Sequence, residues 1–224
     1  MAKKPVSGKP AKKKKATSGA SAQPDRETVL DLAVDAMMKL AGQLGWRGLT
    51  QADIAAEAGL ELSQLNRFAA SRNDLLAHFM RRIDSIVVEN GPDADLTEPV
   101  KDRLFDIVMQ RFDALQPWRD AIRAIARDMP FDPVSALCLG CNRHRSTIRM
   151  LAKAGVSTAG LKGRIRAAGL DVITLSTVRV WLNDDSQDMS VTMAHLDRQL
   201  SRADKLVRSL RGGGTDQDVP PNAG

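Results

Sequence analysis

The sequence predicts an all-α protein, and three observations carry that prediction. Ala, Leu and Arg dominate a chain whose aromatic content is only 4%, with Gly and Pro scattered along it, a composition that favours helix over strand. Apolar residues recur at intervals of three and four through segment after segment, the period of one helix face. Capping signals (Thr50 with Asp53, Ser71 with Asp74, Asp132 before Pro133) stand where those periodic runs begin. At 224 residues the chain is long enough for a sizeable core in one or two domains.

Residues 1–25 are expected to form a disordered tail. Lys3, Lys4, Lys9, Lys12, Lys13, Lys14 and Lys15 fall there with no acid before Asp25. That excess accounts for the whole-chain charge of +6 and the sequence pI near 9.6, so the remainder is close to neutral. A Lys/Pro/Ser/Gly/Ala segment lacks the apolar surface to order itself. Two readings stand side by side: salt-sensitive attraction to the phosphates of DNA or anionic lipid, and a solubilising extension. Lysine richness without an amphipathic pattern argues against a transit peptide. No apolar run reaches bilayer-spanning length and no secretory segment opens the chain, so a soluble cytoplasmic protein is expected.

The first helix is predicted over Arg26 to Leu44, where Val29, Leu30, Ala33, Met37, Leu40, Ala41 and Leu44 share one stripe. Gly45-Trp46-Arg47-Gly48 ends it, with Trp46 expected as a packing lid. Leu49 to Phe79 is the most informative stretch. Thr50 caps a short helix whose inner stripe is Ile54, Ala55 and Ala58, Gly59 supplies a turn, and Glu61 to Phe68 forms a second short helix. Ser71 then caps a third, with Leu75, Leu76, Phe79, Met80 and Ile83 at helical spacing. Two short helices joined by a glycine turn and followed by a longer one read as a helix-turn-helix.

These residues resemble the amino-terminal domain of TetR-family transcriptional regulators, at Leu49, Thr50, Ile54, Ala55, Ala58, Gly59, Ser63, Leu65, Ser71, Arg72, Leu75 and Leu76. Asn66 stands where that family usually has tyrosine and Ala69 where it has phenylalanine, with Phe68 available for the packing role; Arg72 replaces a lysine and keeps its charge. If the motif meets DNA, Glu61, Ser63, Gln64 and Arg67 are the candidate readers on the second motif helix, Gln64 for adenine and Arg67 for guanine or a phosphate. Asn66 can also contact adenine. Thr50, Gln51 and Arg72, at helix amino termini, suit phosphate oxygens. Glu61 repels phosphate, and each polar position reads equally well as a solvated face.

Beyond Asn90-Gly91-Pro92-Asp93, Thr97 with Glu98 and Pro99 is expected to start a helix with Val100, Leu104, Ile107, Val108 and Phe112 inward. Pro117 closes it, Trp118 to Asp128 forms a short helix, and Asp132-Pro133 opens one running toward Ala154 and stopped by Gly155. A further helix from about Thr158 is expected to kink or break near Gly169 and resume through Trp181 and Leu182. The polar corner Asn183-Asp184-Asp185-Ser186 precedes the most regular run, Met193, Leu196, Leu200, Ala203, Val207 and Leu210, flanked by Arg198, Arg202, Lys205, Arg208 and Arg211. That seam has three readings: packing on its own domain, a dimer interface such as the TetR resemblance implies, or a membrane-surface helix. The carboxy-terminal half, at Asp102-Arg103-Leu104, Pro117-Trp118-Arg119, residues 184–188, Thr192, Leu196, Asp197, Arg198 and Leu200, is similar to the lipid-binding accessory protein of coenzyme Q biosynthesis. That resemblance implies an isoprenoid in the core and peripheral membrane contact.

No catalytic signature is present: there is no Gly-rich phosphate loop, GxSxG elbow or HExxH. His78, His144 and His195 are expected as surface imidazoles and an enzyme is not expected. Cys138, Cys141 and His144 share one predicted helix but cannot enclose zinc without a fourth ligand from elsewhere, so neither metal nor cofactor is expected. Phe105, Met109, Phe112, Trp118, Ile122, Met150 and Trp181 are the candidate lining of a site for a small lipophilic effector. The expected organisation is a helix-turn-helix domain over 26–88, a helical ligand-binding and dimerisation domain over 97–211, and a disordered end over 212–224. The primary expectation is a homodimeric, ligand-responsive repressor on a double-stranded operator; the alternative is a lipid-binding accessory of ubiquinone biosynthesis.

Overall fold

The structure is a computed structural model that describes Met1 and residues 25–212; the lysine tail and most of the 212–224 segment lie outside the described residues. Among the described residues nine α-helices follow one another: α1 (Arg26–Leu44), α2 (Gln51–Glu57), α3 (Leu62–Phe68), α4 (Arg72–Asp84), α5 (Val100–Leu115), α6 (Arg119–Asp128), α7 (Pro133–Lys153), α8 (Gly160–Trp181) and α9 (Ser190–Gly212). The described residues contain no strand.

Helix α1 is the axle of the amino-terminal half. Asp25 caps it by accepting from Thr28 N at 2.8 Å. Val29, Ala33, Val34, Met37 and Ala41 have no exposed surface, because α1 packs on α2, α3, α4 and α6 at once. Each side chain of valine to methionine size buried there contributes about 1.5–3 kcal/mol. Trp46 is fully buried as expected of a lid, and its indole also donates to Asp132 at 3.2 Å, tying the loop to the start of α7.

Helix α4 packs on α1 and α7 and runs into one π-helical turn, Ser85–Glu89. Asp84 at its end is buried and gathers three donors from the larger half: Arg111 Nη1 at 2.5 Å, Ser146 Oγ at 2.8 Å and Arg149 Nη1 at 3.0 Å. One apolar core runs from α1 through Phe79, Ile107, Phe112 and Met150 to Trp181 and Leu196.

The carboxy-terminal half differs from expectation in three places. Helix α5 starts at Val100 after Pro99, because Thr97 is engaged one turn earlier, its N–H and hydroxyl donating to Asp95 Oδ1 at 2.9 and 2.7 Å. Helix α8 is unbroken through Gly169, since a glycine weakens a helix without ending it when both sides are anchored by packing. The third is His195, partly buried and in contact with Ser176 at 3.2 Å, whereas His144 is on the surface as expected while contacting Asp171 at 2.5 Å; in the amino-terminal half His78 is partly buried and contacts Asp31 at 3.1 Å. Burial, and then the charges of Arg198 and Arg202, pull the pKa of His195 down.

Candidate nucleic-acid interface

The helix-turn-helix is built by local chemistry. Thr50 Oγ1 accepts from Asp53 N at 3.2 Å while Asp53 Oδ2 accepts from Thr50 N at 3.0 Å, a reciprocal capping box. At the far end of α2, Leu60 N donates to Ala55 O and Gly59 N to Ala56 O, the paired bonds of a Schellman turn. That turn needs the left-handed conformation, which Gly59 adopts at φ +66. Ser71 and Asp74 form a second capping box that starts α4. Leu65, fully buried, anchors α3 to the core, and Ala69 is 1% exposed, leaving no room for a phenylalanine in this packing. Phe68 packs partly buried against the same core.

With Leu65 turned inward, α3 presents Glu61, Ser63, Asn66 and Arg67 to solvent, and Gln64 is half-buried on the same short rod. These five candidate readers are brought together. Thr50 is exposed at the start of α2, adjoining the rod. The other two phosphate candidates are occupied. Gln51 Nε2 donates to Ala69 O at 2.9 Å and its Oε1 is buried without a partner, so it ties α2 to the end of α3. Arg72 donates to Trp46 O at 2.7 Å, Leu49 O at 3.0 Å and Asp132 Oδ2 at 2.9 Å, with its guanidinium 4.8 Å from the Trp46 ring centroid. A guanidinium with those partners holds the motif onto α7.

Charge on the motif is unfavourable for phosphate. Between residues 50 and 71 the acids Asp53, Glu57 and Glu61 face the lone cation Arg67, and Lys39 on α1 is committed to Glu57. Long-range attraction has to come from elsewhere in the chain.

The larger half shows where the lipophilic candidates lie. Phe112 and Trp181 pack with centroids 5.5 Å apart, and Trp181 donates to Gln116 Oε1 at 2.9 Å. Met150 is 1% exposed; Met109 and Ile122 belong to or border the same core. Trp118 sits edge-on to Phe79 under Arg82. Phe105 lines a depression of about 430 Å³ between α5 and α9 that it shares with Asp102, Asp106 and Asp197. A second, predominantly apolar cleft of about 410 Å³ is bounded by α5, α7, α8 and α9 and contains none of the seven.

The first half of the seam on α9 packs inward, Leu196 and Leu200 buried against α5 and α8 and Met193 bordering the core, whereas Val207 farther along is exposed. Leu210 lies outside the residues whose burial is described. A longer unpartnered stripe lies on α8, where Leu161, Ile165, Val172 and Leu175 are exposed at helical spacing. Sequence reading missed it because Lys162, Arg164, Arg166 and Arg179 are interspersed with the apolar residues of α8, while Leu170 and Trp181 are apolar on its buried side, so no one face stands out by contrast. No helix among the described residues is long and apolar enough to cross a membrane, and none of their His, Cys, Asp and Glu groups is arranged to hold a metal ion.

No protein-family model matches the chain, and no curated protein does. Solved structures do. A TetR transcriptional regulator from Nitrosomonas europaea superposes with a TM-score of 0.61 at 22% identity, over 79% of this chain and 98% of that one. One from Rhodococcus sp. RHA1 gives 0.60 at 16% identity, over 80% and 97%. A TetR-family regulator from Streptomyces coelicolor gives 0.54 at 13% identity, over 86% and 93%. Nothing in these comparisons supports the likeness to the coenzyme Q accessory protein.

Proposed function

The chain has the TetR-regulator fold along most of its length, and we propose that it acts as a homodimeric, DNA-binding transcriptional regulator, a ligand-responsive repressor. The observation that carries the reading is α3: a capped, core-anchored rod with Ser63, Asn66 and Arg67 outward, of the dimensions a major groove accepts. Arg67 recognises guanine, Asn66 and Gln64 recognise adenine, and Thr50 meets a phosphate. The acidic motif makes the lysine tail the source of sequence-independent attraction.

The second copy docks on α8. Helix α8 carries an apolar stripe on a face that its own chain leaves exposed, and such a stripe calls for a covering partner. Pairing Leu161, Ile165, Val172 and Leu175 with the same residues of a second chain covers that face about a two-fold axis. Two rods so related engage half-sites one helical turn apart. Ligand bound in the larger half then favours a rod spacing that no longer fits the operator.

Fluorescence anisotropy on the DNA upstream of the protein's own gene tests the reading. Saturable binding that an unrelated duplex does not compete away, and that Arg67→Ala removes, supports it. Equal affinity for both duplexes contradicts it.

A further inference from the structure

The cleft of about 410 Å³ between α5, α7, α8 and α9 is walled by Leu104, Leu151, Ile165, Leu170, Ile173 and Leu200. Gly169 lies in its wall within an unbroken helix, where glycine is less favourable than alanine. A Cβ at Gly169 would meet nothing within 4 Å. Neither turn geometry nor close packing therefore calls for glycine there, and the missing side chain enlarges the open volume.

Gly155, also in the wall, separates the cleft from a buried cation. Its φ is +70, and a Cβ on it would come within 3.1 Å of Arg103 Nη1. Arg103 is 9% exposed and its Nε has no hydrogen-bond partner, a state that buried guanidinium groups leave when an anion is at hand. Asp95 is held low first by its hydrogen bonds from Thr97 and last by the Arg103 charge. At the rim Arg166 donates to Ser157 O at 3.0 Å and pairs with no carboxylate among the described residues. The other rim charges are matched, Lys101 with Asp197 at 2.8 Å and Asp204 with Arg208 at 2.8 Å.

We propose that this cleft is the effector site and that it takes a hydrophobic organic anion, its hydrocarbon body against the apolar walls and its carboxylate or sulfonate head at Arg166, with the charge of Arg103 behind Gly155 adding to the attraction. The volume suits a drug-sized molecule, and an apolar site with a few placed polar groups is the common form of such sites. The proposal rests on the regulator reading for its purpose, though not for its chemistry. The site adjoins the motif's support: Leu151 and Gly155 flank Lys153, whose ammonium donates to Val88 O at 2.9 Å and Gly91 O at 3.1 Å just beyond α4.

The test is a titration of the full chain with anilinonaphthalene sulfonate, an apolar ring system bearing one anionic head, followed by competition with decanoate and with decanol. The expected result is one saturable site per chain, displaced by decanoate at concentrations where decanol does not act. Arg166→Gln should weaken decanoate roughly tenfold. Gly169→Phe should abolish binding with helical circular dichroism retained. If Gly169→Phe does not fold, Ala203→Phe, from the α9 wall, should block the probe in the same way. Unchanged probe binding in a folded filling variant, or equal displacement by decanol and decanoate, overturns the proposal. No DNA is present, so failure here leaves the DNA-reading function standing, and failure of DNA binding leaves this result standing.

Discussion

Arg72 Nη2 donates to Asp132 Oδ2 at 2.9 Å across 60 residues of sequence, joining the first turn of α4 to the residue that caps α7. Trp46 Nε1 reaches the same carboxylate oxygen, so the loop after α1, the start of α4 and the start of α7 meet at one group. This joint fixes the motif's angle to the larger half, and that angle sets how far apart two α3 rods stand in a dimer.

Asp132 makes the joint sensitive to acid. Hydrogen bonds from Ser135, then Trp46 and the Arg72 charge, hold its pKa down at about 2 against an ordinary 3.8. The lowered folded-state value means that its stabilisation is complete above pH 3.8 and is lost as pH falls toward 2, because the unfolded chain binds the proton first. Asp132→Asn should lower Tm at neutral pH and flatten the dependence of Tm on pH over that window, read by circular dichroism. An unchanged acid limb would show that the joint contributes nothing.

Asp84 should be the most damaging single charge to remove. Asp84→Ala leaves the buried Arg111 guanidinium without its carboxylate, which destabilises by about 3–5 kcal/mol. Arg149→Ala, losing the nearly half-exposed partner of the same Asp84, should change stability by about 1 kcal/mol or less. Urea unfolding of both variants compares them directly.

Val172→Glu places a charge in the middle of the exposed α8 stripe. The residue is 69% exposed in the single chain, so the fold of the protomer should survive while the proposed dimer is lost. Light scattering at micromolar protein reads the outcome, and a dimer that persists would move the interface elsewhere.

Removing residues 1–24 takes away seven lysines. If the tail supplies phosphate attraction, DNA affinity should fall and the slope of log K against log salt should become shallower by up to about 6. An unchanged slope would assign the tail to solubility.

Much of the motif was legible because its determinants are local. Thr50 with Asp53, Ser71 with Asp74, Asp132 before Pro133 and Gly59 each act within a few residues, and the start and end of α1 follow from its stripe and from Gly45. What stayed hidden depends on partners far along the chain. Nothing near Arg72 announces Asp132, so a phosphate contact was the natural expectation. The α9 seam carried three readings because a regular apolar stripe says that a face is covered without saying by what; Leu196 and Leu200 are covered by α5 and α8 of the same chain. Gly169 looked like a break because glycine's helix penalty is visible in sequence and an adjoining cleft is not.

Selection of bound duplexes from a random library, run in parallel with the wild-type chain and the Asn66→Ala, Arg67→Ala double variant, tests most directly whether α3 reads DNA. The account predicts that the wild type enriches an inverted repeat with half-site centres one helical turn apart and that the variant enriches none. No enriched sequence with the wild type, or the same repeat enriched by the variant, would contradict it.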